Sequence, residues 1–328
     1  MLSRDVAQRI DRTLVFQEAD RVPICDFLDH KKIFYYFSHT SRITLPDKVK
    51  AYHELGIDIC WRFERRQKAR GSGLLEHLHR FALRKARLHV LGEEELDAEF
   101  RDFKEQQKLF EPHTYLAMSV DGCLSAAYRS LGFEEFSRKM YVEPIEVEKL
   151  IDIFAENLYQ RALRFAEGEL GRIFFINDGI AYDKGLIFSP VFLQQQWFPR
   201  IKNAIAPLKK KGIKVILHSL GNLSSIIKEL IDIGIDGIHP IDAVAGMDIA
   251  VLKKTYPKRL LLFGNVALGQ QDRCLTIPEL VKHCIHNASS GGGHFIGSRT
   301  GIEKNIPLQD VFSFFIAIKE YGKYPLGK

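Results

Sequence analysis

The 328-residue sequence is poor in cysteine, with five residues, Cys25, Cys60, Cys123, Cys274 and Cys284, scattered along the chain. No Cys-x-x-Cys pair occurs, which excludes a zinc ribbon or a dithiol redox motif of that spacing, and the cysteines read as reduced thiols. Long apolar runs are also missing. Nothing approaches the roughly 18 uninterrupted apolar residues of a membrane span, and Met1-Leu-Ser-Arg-Asp-Val-Ala-Gln-Arg-Ile10 lacks the apolar core of a secretory signal. A cytoplasmic protein with no membrane partner is expected. No tract rich in Pro, Gly or Ser and no sequence repeat marks a boundary, so the expectation is one domain over 1–328. A large excess of one charge is absent as well, with 47 basic residues against 41 acidic ones. The net is only +6, and its surplus gathers between Arg62 and His89, where Arg65, Arg66, Lys68, Arg70, Arg80, Arg84, Lys85 and Arg87 meet few acids. That stretch has neither interleaved stacking aromatics nor a reader motif, so no nucleic-acid partner is expected. It reads as a solvated helical face, able to attract an anionic substrate or an acidic partner protein.

What the chain does have is 46% hydrophobic residues, enough for one barrel-sized core. Three stretches, Val215-Ile-Leu-His-Ser-Leu-Gly-Asn222, Gly237-Ile-His-Pro-Ile-Asp242 and Leu260-Leu-Leu-Phe-Gly-Asn-Val266, run apolar residues straight into a polar cluster. Buried parallel strands end in this way, because helices cover one face, the barrel interior takes the other, and polar groups are tolerated only at the carboxyl end. Eight strands are predicted: Val22–Phe27, Ile57–Phe63, Tyr115–Val120, Ile173–Asn177, Lys214–His218, Gly237–Ile241, Leu260–Asn265 and His294–Ser298. Helical sequence separates them. Ser189-Pro190 is an N-cap followed by proline at the first helical position, opening a helix that Gly212 stops. The predicted fold is α/β, an eight-stranded (β/α)₈ TIM barrel with an N-terminal helix over its floor and a basic helical insertion, about 64–111, between strands two and three.

Closed in order, these strands present Asp26, Asp121, Asn177 with Asp178, His218, His239, Asn265 and Ser298 with Arg299 around one mouth. His218 and His239 end consecutive strands, so their imidazoles are candidates for a shared proton, ligand or metal. Asp178, followed by Gly179, is a candidate base or a partner orienting a histidine; its alternative is a cap for the next turn. Gly291-Gly-Gly293 precedes its strand, so it reads as a tight turn on the floor rather than a phosphate loop.

An ordered series of motifs runs from Asp20-Arg-Val-Pro23 onward: Asn177-Asp178-Gly179, Phe188-Ser-Pro190, His218-Ser-Leu-Gly-Asn222, Gly234-Ile-Asp-Gly-Ile-His-Pro240, Ala245-Gly-Met-Asp248 with Leu252-Lys253, Phe263-Gly-Asn265 and Gly291-Gly-Gly293. Taken together, the series resembles the uroporphyrinogen decarboxylase superfamily, which also contains corrinoid-dependent methyltransferases. The resemblance implies a TIM barrel with its active site at the carboxyl-terminal mouth. True decarboxylases of the family carry an arginine-rich loop after the first strand; here that segment is Ile24-Cys-Asp-Phe-Leu-Asp-His-Lys-Lys32, with two acids and no arginine. The zinc methyltransferases use a His-x-Cys motif and a later cysteine. His218 matches the histidine as a metal ligand, but Leu220 and Thr300 stand at the cysteine positions, so the usual zinc ligands are incomplete.

The resemblance therefore implies a methyltransferase-like enzyme moving a methyl group between a small O-methyl substrate and a corrinoid carried by a partner protein. His218, Asp178 and His239 are the expected catalytic residues, with Asn177, Asn265, Arg299, Asp121 and Tyr182 lining the substrate. Two alternatives stand beside it: a decarboxylase of a tetrapyrrole or simpler acid, and a barrel that binds ligand without catalysis. Phe312, Phe314 and Phe315 would serve either a terminal helix packed on the wall or a homodimer contact.

Overall fold

A computed structural model describes residues 1–40, 42–61, 89–269 and 275–327. Eight parallel segments follow one another around a cylinder. They are β1 (Cys25–Asp26), β2 (Ile59–Cys60), β3 in two stretches (Tyr115–Leu116 and Met118–Asp121), β4 (Ile173–Asn177), β5 (Lys214–His218), β6 (Gly237–His239), β7 (Leu261–Phe263) and β8 (His294–Phe295). Each pairs in parallel with the next, for example Cys25 with Ile59, Ile173 with Lys214 and Leu262 with His294. The seam is a parallel bridge from Ile24 to Ile296, where Cys25 N–H donates to the Ile296 carbonyl at 2.8 Å and Ile296 N–H to that of Pro23 at 2.9 Å. β4 and β5 have the predicted bounds, β3 runs one residue past Val120, and the other five are shorter than their apolar runs and lie within them. The predicted Phe63 end of β2, the arginine-rich stretch from Arg65 to Arg87 and Cys274 lie outside the described residues.

Successive residues of a strand point to opposite faces, and that alternation sorts two cores. Ile173 and Phe175 of β4 join Ile216, Leu261, Phe263 and Phe295 inside the barrel, while Phe174 and Ile176 join the outer layer under the helices. Helix Arg4–Leu14 contributes Val6, Ile10 and Leu14 to the inner cluster, so it plugs the floor as predicted. Gly237 is fixed by crowding. A Cβ there would lie 2.8 Å from Leu261 Cβ and 2.9 Å from Ile216 Cδ1, so β6 carries no side chain at that inner position.

Part of the predicted insertion is ordinary wall. Residues Glu93–Phe110 form a helix that buries Leu96, Phe100 and Phe103, and its Glu99 and Asp97 pair with Arg161 and Arg164 of helix Pro144–Glu167. Its first turn is acidic, so the basic character expected of the insertion over about 64–111 does not extend through this part. The helix predicted to open at Ser189 does so, with Ser189 Oγ accepting from Phe192 N–H at 3.1 Å. A π-helical turn, Leu193–Trp197, interrupts it before Phe198–Lys210. In the terminal helix Leu308–Tyr321, Phe314 and Phe315 are buried in the wall, which removes them from any surface contact. No helix among the described residues is long and apolar enough to cross a membrane.

Candidate active site

Register places the polar rim. Asp121, Asn177, His218 and His239 are successive partners across β3, β4, β5 and β6, so four neighbouring strands end at one level. His218 has the inward parity of Ile216, and His239 that of Gly237. Their rings meet: Nδ1 of His218 lies 2.7 Å from Nδ1 of His239, within a hydrogen bond that requires one nitrogen to donate and the other to accept. His239 is fully buried, and burial together with the neighbouring His218 holds its pKa well below the ordinary histidine value. His218 is half-buried. Burial thus disfavours a charge on the sealed His239 ring.

Trp61, just beyond β2, covers both. Its ring stacks on His218 at 4.6 Å between centroids and 27° between planes, and sits 4.7 Å from His239. Sequence reasoning missed it, because a tryptophan at the end of an apolar run reads as core. On the other side of the row, Asn177 exchanges hydrogen bonds with Ser119 at 3.0 and 3.2 Å. That keeps its amide at the rim beside His218.

The structure does not bring Asp178 to the histidines. The residue after inward Asn177 faces the opposite way, and its carboxylate takes the N–H groups of Ser125 and Leu124 at 2.5 and 3.3 Å and Trp197 Nε1–H at 2.7 Å. It caps helix Cys123–Leu131 from outside that helix, where Gly122 offers no side chain and a Cβ would meet the Asp178 carboxylate at 2.2 Å. The carboxylate expected to act with His218 instead holds the helical layer, where burial raises its pKa, while the Asp178 backbone N–H donates to the His218 carbonyl at 3.0 Å.

The other predicted residues divide. Arg299 reaches over the rim but is held by Asp242, its Nε and Nη2 bonding the two carboxylate oxygens at 2.6 and 2.8 Å. Asp242 also accepts from Gly221 N–H at 2.9 Å and lies below the usual carboxylate range because these donors outweigh its burial. The same guanidinium stands 3.7 Å from Asp183, so it ties the loops after β4, β6 and β8 together. Asp242 ends one of the stretches that pointed to the barrel, and its pairing with Arg299 is not visible in sequence. Asn265 points its Oδ1 to the Cys284 thiol at 3.1 Å, toward helix Ile277–Ala288. Asp121 is exposed and pairs with Arg129 at 3.3 Å. Tyr182 lies half-exposed on the hairpin formed by Ala181–Tyr182 and Gly185–Leu186. Asp26 and Ser298 bond to each other at the seam, Ser298 donating from N–H and Oγ at 2.8 Å.

Zinc does not fit these donors. Leu220 and Thr300 are not ligands, His218 and His239 spend a nitrogen each on one another, and among the described residues no three His, Cys, Asp or Glu side chains gather as a metal set.

A family model described as uroporphyrinogen decarboxylase (URO-D) matches residues 107–321. The chain belongs to the uroporphyrinogen decarboxylase family. No curated protein sequence gives a significant match. Among solved structures, a methyltransferase from Methanosarcina mazei aligns with a TM-score of 0.71 at 17% identity, over 97% of this chain and 99% of that one. A B12-independent methionine synthase from a Shewanella species aligns at 0.43 and 13% identity, over 66% and 64%. A xylose isomerase domain protein from Alicyclobacillus acidocaldarius gives 0.43 and 13%, over 91% and 96%. At these identities the likeness concerns the fold, and the two matches with TM-scores of 0.43 carry no weight here. In a parallel barrel of this kind the carboxyl ends of the strands, where His218 and His239 meet, are the candidate site.

Proposed function

We propose that this member of the uroporphyrinogen decarboxylase family is a methyltransferase that moves a methyl group from a small O-methyl compound to a corrinoid carried by a partner protein. The observation that carries it is the His218–His239 pair, one ring sealed and the other reaching the mouth. A methyl group leaves an oxygen only if that oxygen is relieved of the electron pair it keeps, and a positioned acid does so at a gain typically of about 10²–10⁴. His218 supplies the proton from Nε2, since its Nδ1 is held by His239. In the protonated pair His218 donates Nδ1–H to neutral His239, which steadies the charge without sharing it. The C–O bond pair remains on oxygen, the proton joins it, and the methyl passes to the acceptor. The corrinoid supplies a strong methyl-accepting metal centre when its carrier docks. Nothing in this chain need ligate it, in keeping with the poor donor set for metal at the rim. Asn177 holds the substrate beside His218.

A decarboxylase would need a cation free to grip a carboxylate. Among the described residues, Arg299 is committed to Asp242 and Asp26 occupies the loop where family arginines would stand, which supports a neutral substrate. The direct test is to incubate the protein with a reduced corrinoid protein and a panel of methoxylated compounds, following cobalt methylation by absorbance. Methylation that requires His218 is expected. Carbon dioxide release from a porphyrinogen, with no methylation, would reverse the assignment.

A further inference from the structure

Two atoms on the ring stack are buried without a hydrogen-bond partner, Trp61 Nε1 and His239 Nε2. Their residues are 1% and 0% exposed, so bulk water does not reach them. Folded proteins leave few such groups, and one that persists calls for an explanation such as a missing ligand. Neither atom takes part in the proton donation from His218 Nε2 or in the Nδ1–Nδ1 hydrogen bond. An indole N–H only donates, so its missing partner is an acceptor. When His218 donates to His239 Nδ1, as the protonated pair requires, the hydrogen of His239 is on Nε2 and this second atom is a donor too.

We propose that Trp61 is a ligand-binding residue: its indole N–H donates to an oxygen of the small molecule held at the histidine pair, with His239 Nε2–H as a second donor to that molecule. The 4.7 Å between the two ring centroids puts both donors within the span of one small molecule. The rings beside Trp61 are Phe27, edge-on at 5.9 Å, and Phe175, tilted at 6.2 Å. They suit an apolar, flat body. An acceptor oxygen on such a body describes an aryl ether, and the Trp61 N–H on that oxygen stabilises the charge it gains as the methyl leaves. The identity of the oxygen as a leaving group rests on the methyl-transfer proposal; the contact itself does not.

The chain has two tryptophans, and the other, Trp197, is locked on Asp178. The full-length ¹⁵N-labelled protein should therefore show two indole N–H resonances, assigned by Trp61→Phe and independently by Trp197→Phe. Titration of the wild type with anisole is expected to move the Trp61 resonance downfield and leave that of Trp197 in place. Toluene, of similar shape without the oxygen, should bind without the downfield move. Trp61→Phe keeps an aromatic ring but loses the donor, and should weaken anisole binding about tenfold by calorimetry while weakening toluene binding less. An unmoved Trp61 resonance at saturating anisole, or equal affinity in Trp61→Phe, overturns the proposal. A shift without methyl transfer to a corrinoid protein keeps the contact and removes the activity; methyl transfer without a shift does the reverse.

Discussion

At the scale of single residues, burial decides which groups titrate and where. Asp26 is fully buried beside Ser298, and loss of water pushes its carboxyl up to about 6 from an ordinary 3.8. Between those values the folded chain keeps a proton that the unfolded chain has released. The contribution of this group is therefore greatest below about pH 4 and falls as pH rises through 6, by about 3 kcal/mol in all. Asp26→Asn keeps an acceptor for Ser298 and should flatten that part of the slope in urea unfolding at successive pH values; parallel slopes in the two proteins would contradict it. The same scale shows what the sequence could not tell. His218 and His239 were readable because each ends an apolar run on consecutive strands. The placement of the Asp178 side chain was not legible, because neighbours in a strand face opposite sides and of Asn177 and Asp178 the inward one is Asn177. Trp61 was invisible, since periodicity treats an aromatic at a strand end as packing and says nothing of an unpaired indole N–H.

At the scale of elements, the floor helix Arg4–Leu14 is held by charge as well as by Val6, Ile10 and Leu14. Arg9 is nearly buried and bonds both Asp58 and Asp20, while Arg21 and the Ile24 N–H complete the shell of Asp58 at 2.7 and 2.8 Å. Removing one partner of a buried pair strands the other. Arg9→Ala should cost about 3 kcal/mol, read as a lowered melting temperature, with activity per folded molecule unchanged because the floor is the end of the barrel opposite the histidines. An unaltered melting temperature would mean that Arg21 alone satisfies Asp58. The N-terminal helix was legible from its apolar spacing, and the helix after Ser189 from its cap. The π-helical turn that puts Trp197 against Asp178 was not legible, because nothing in Leu193-Gln-Gln-Gln-Trp197 departs from ordinary helical sequence.

At the scale of the whole molecule, the barrel was the most readable feature, because eight apolar runs each need two covered faces and a cylinder ringed by helices supplies both. The order of the strands followed from the chain, while the seam at Ile24 and Ile296 and the strap of Arg299 on Asp242 are long-range pairings that no local pattern announces. The barrel also separates two placements that sequence had merged, the histidine pair on its inner rim and the Asp178 carboxylate in the helical layer outside it. Side-by-side kinetics and melting of His218→Gln and Asp178→Asn test that separation most directly. His218→Gln should lower kcat for methyl transfer at least about 100-fold with little change in melting temperature. Asp178→Asn should lose about 2 kcal/mol of stability and keep its kcat per folded molecule. A stable Asp178→Asn protein with kcat as low as that of His218→Gln would place the carboxylate in the chemistry and contradict the site described here.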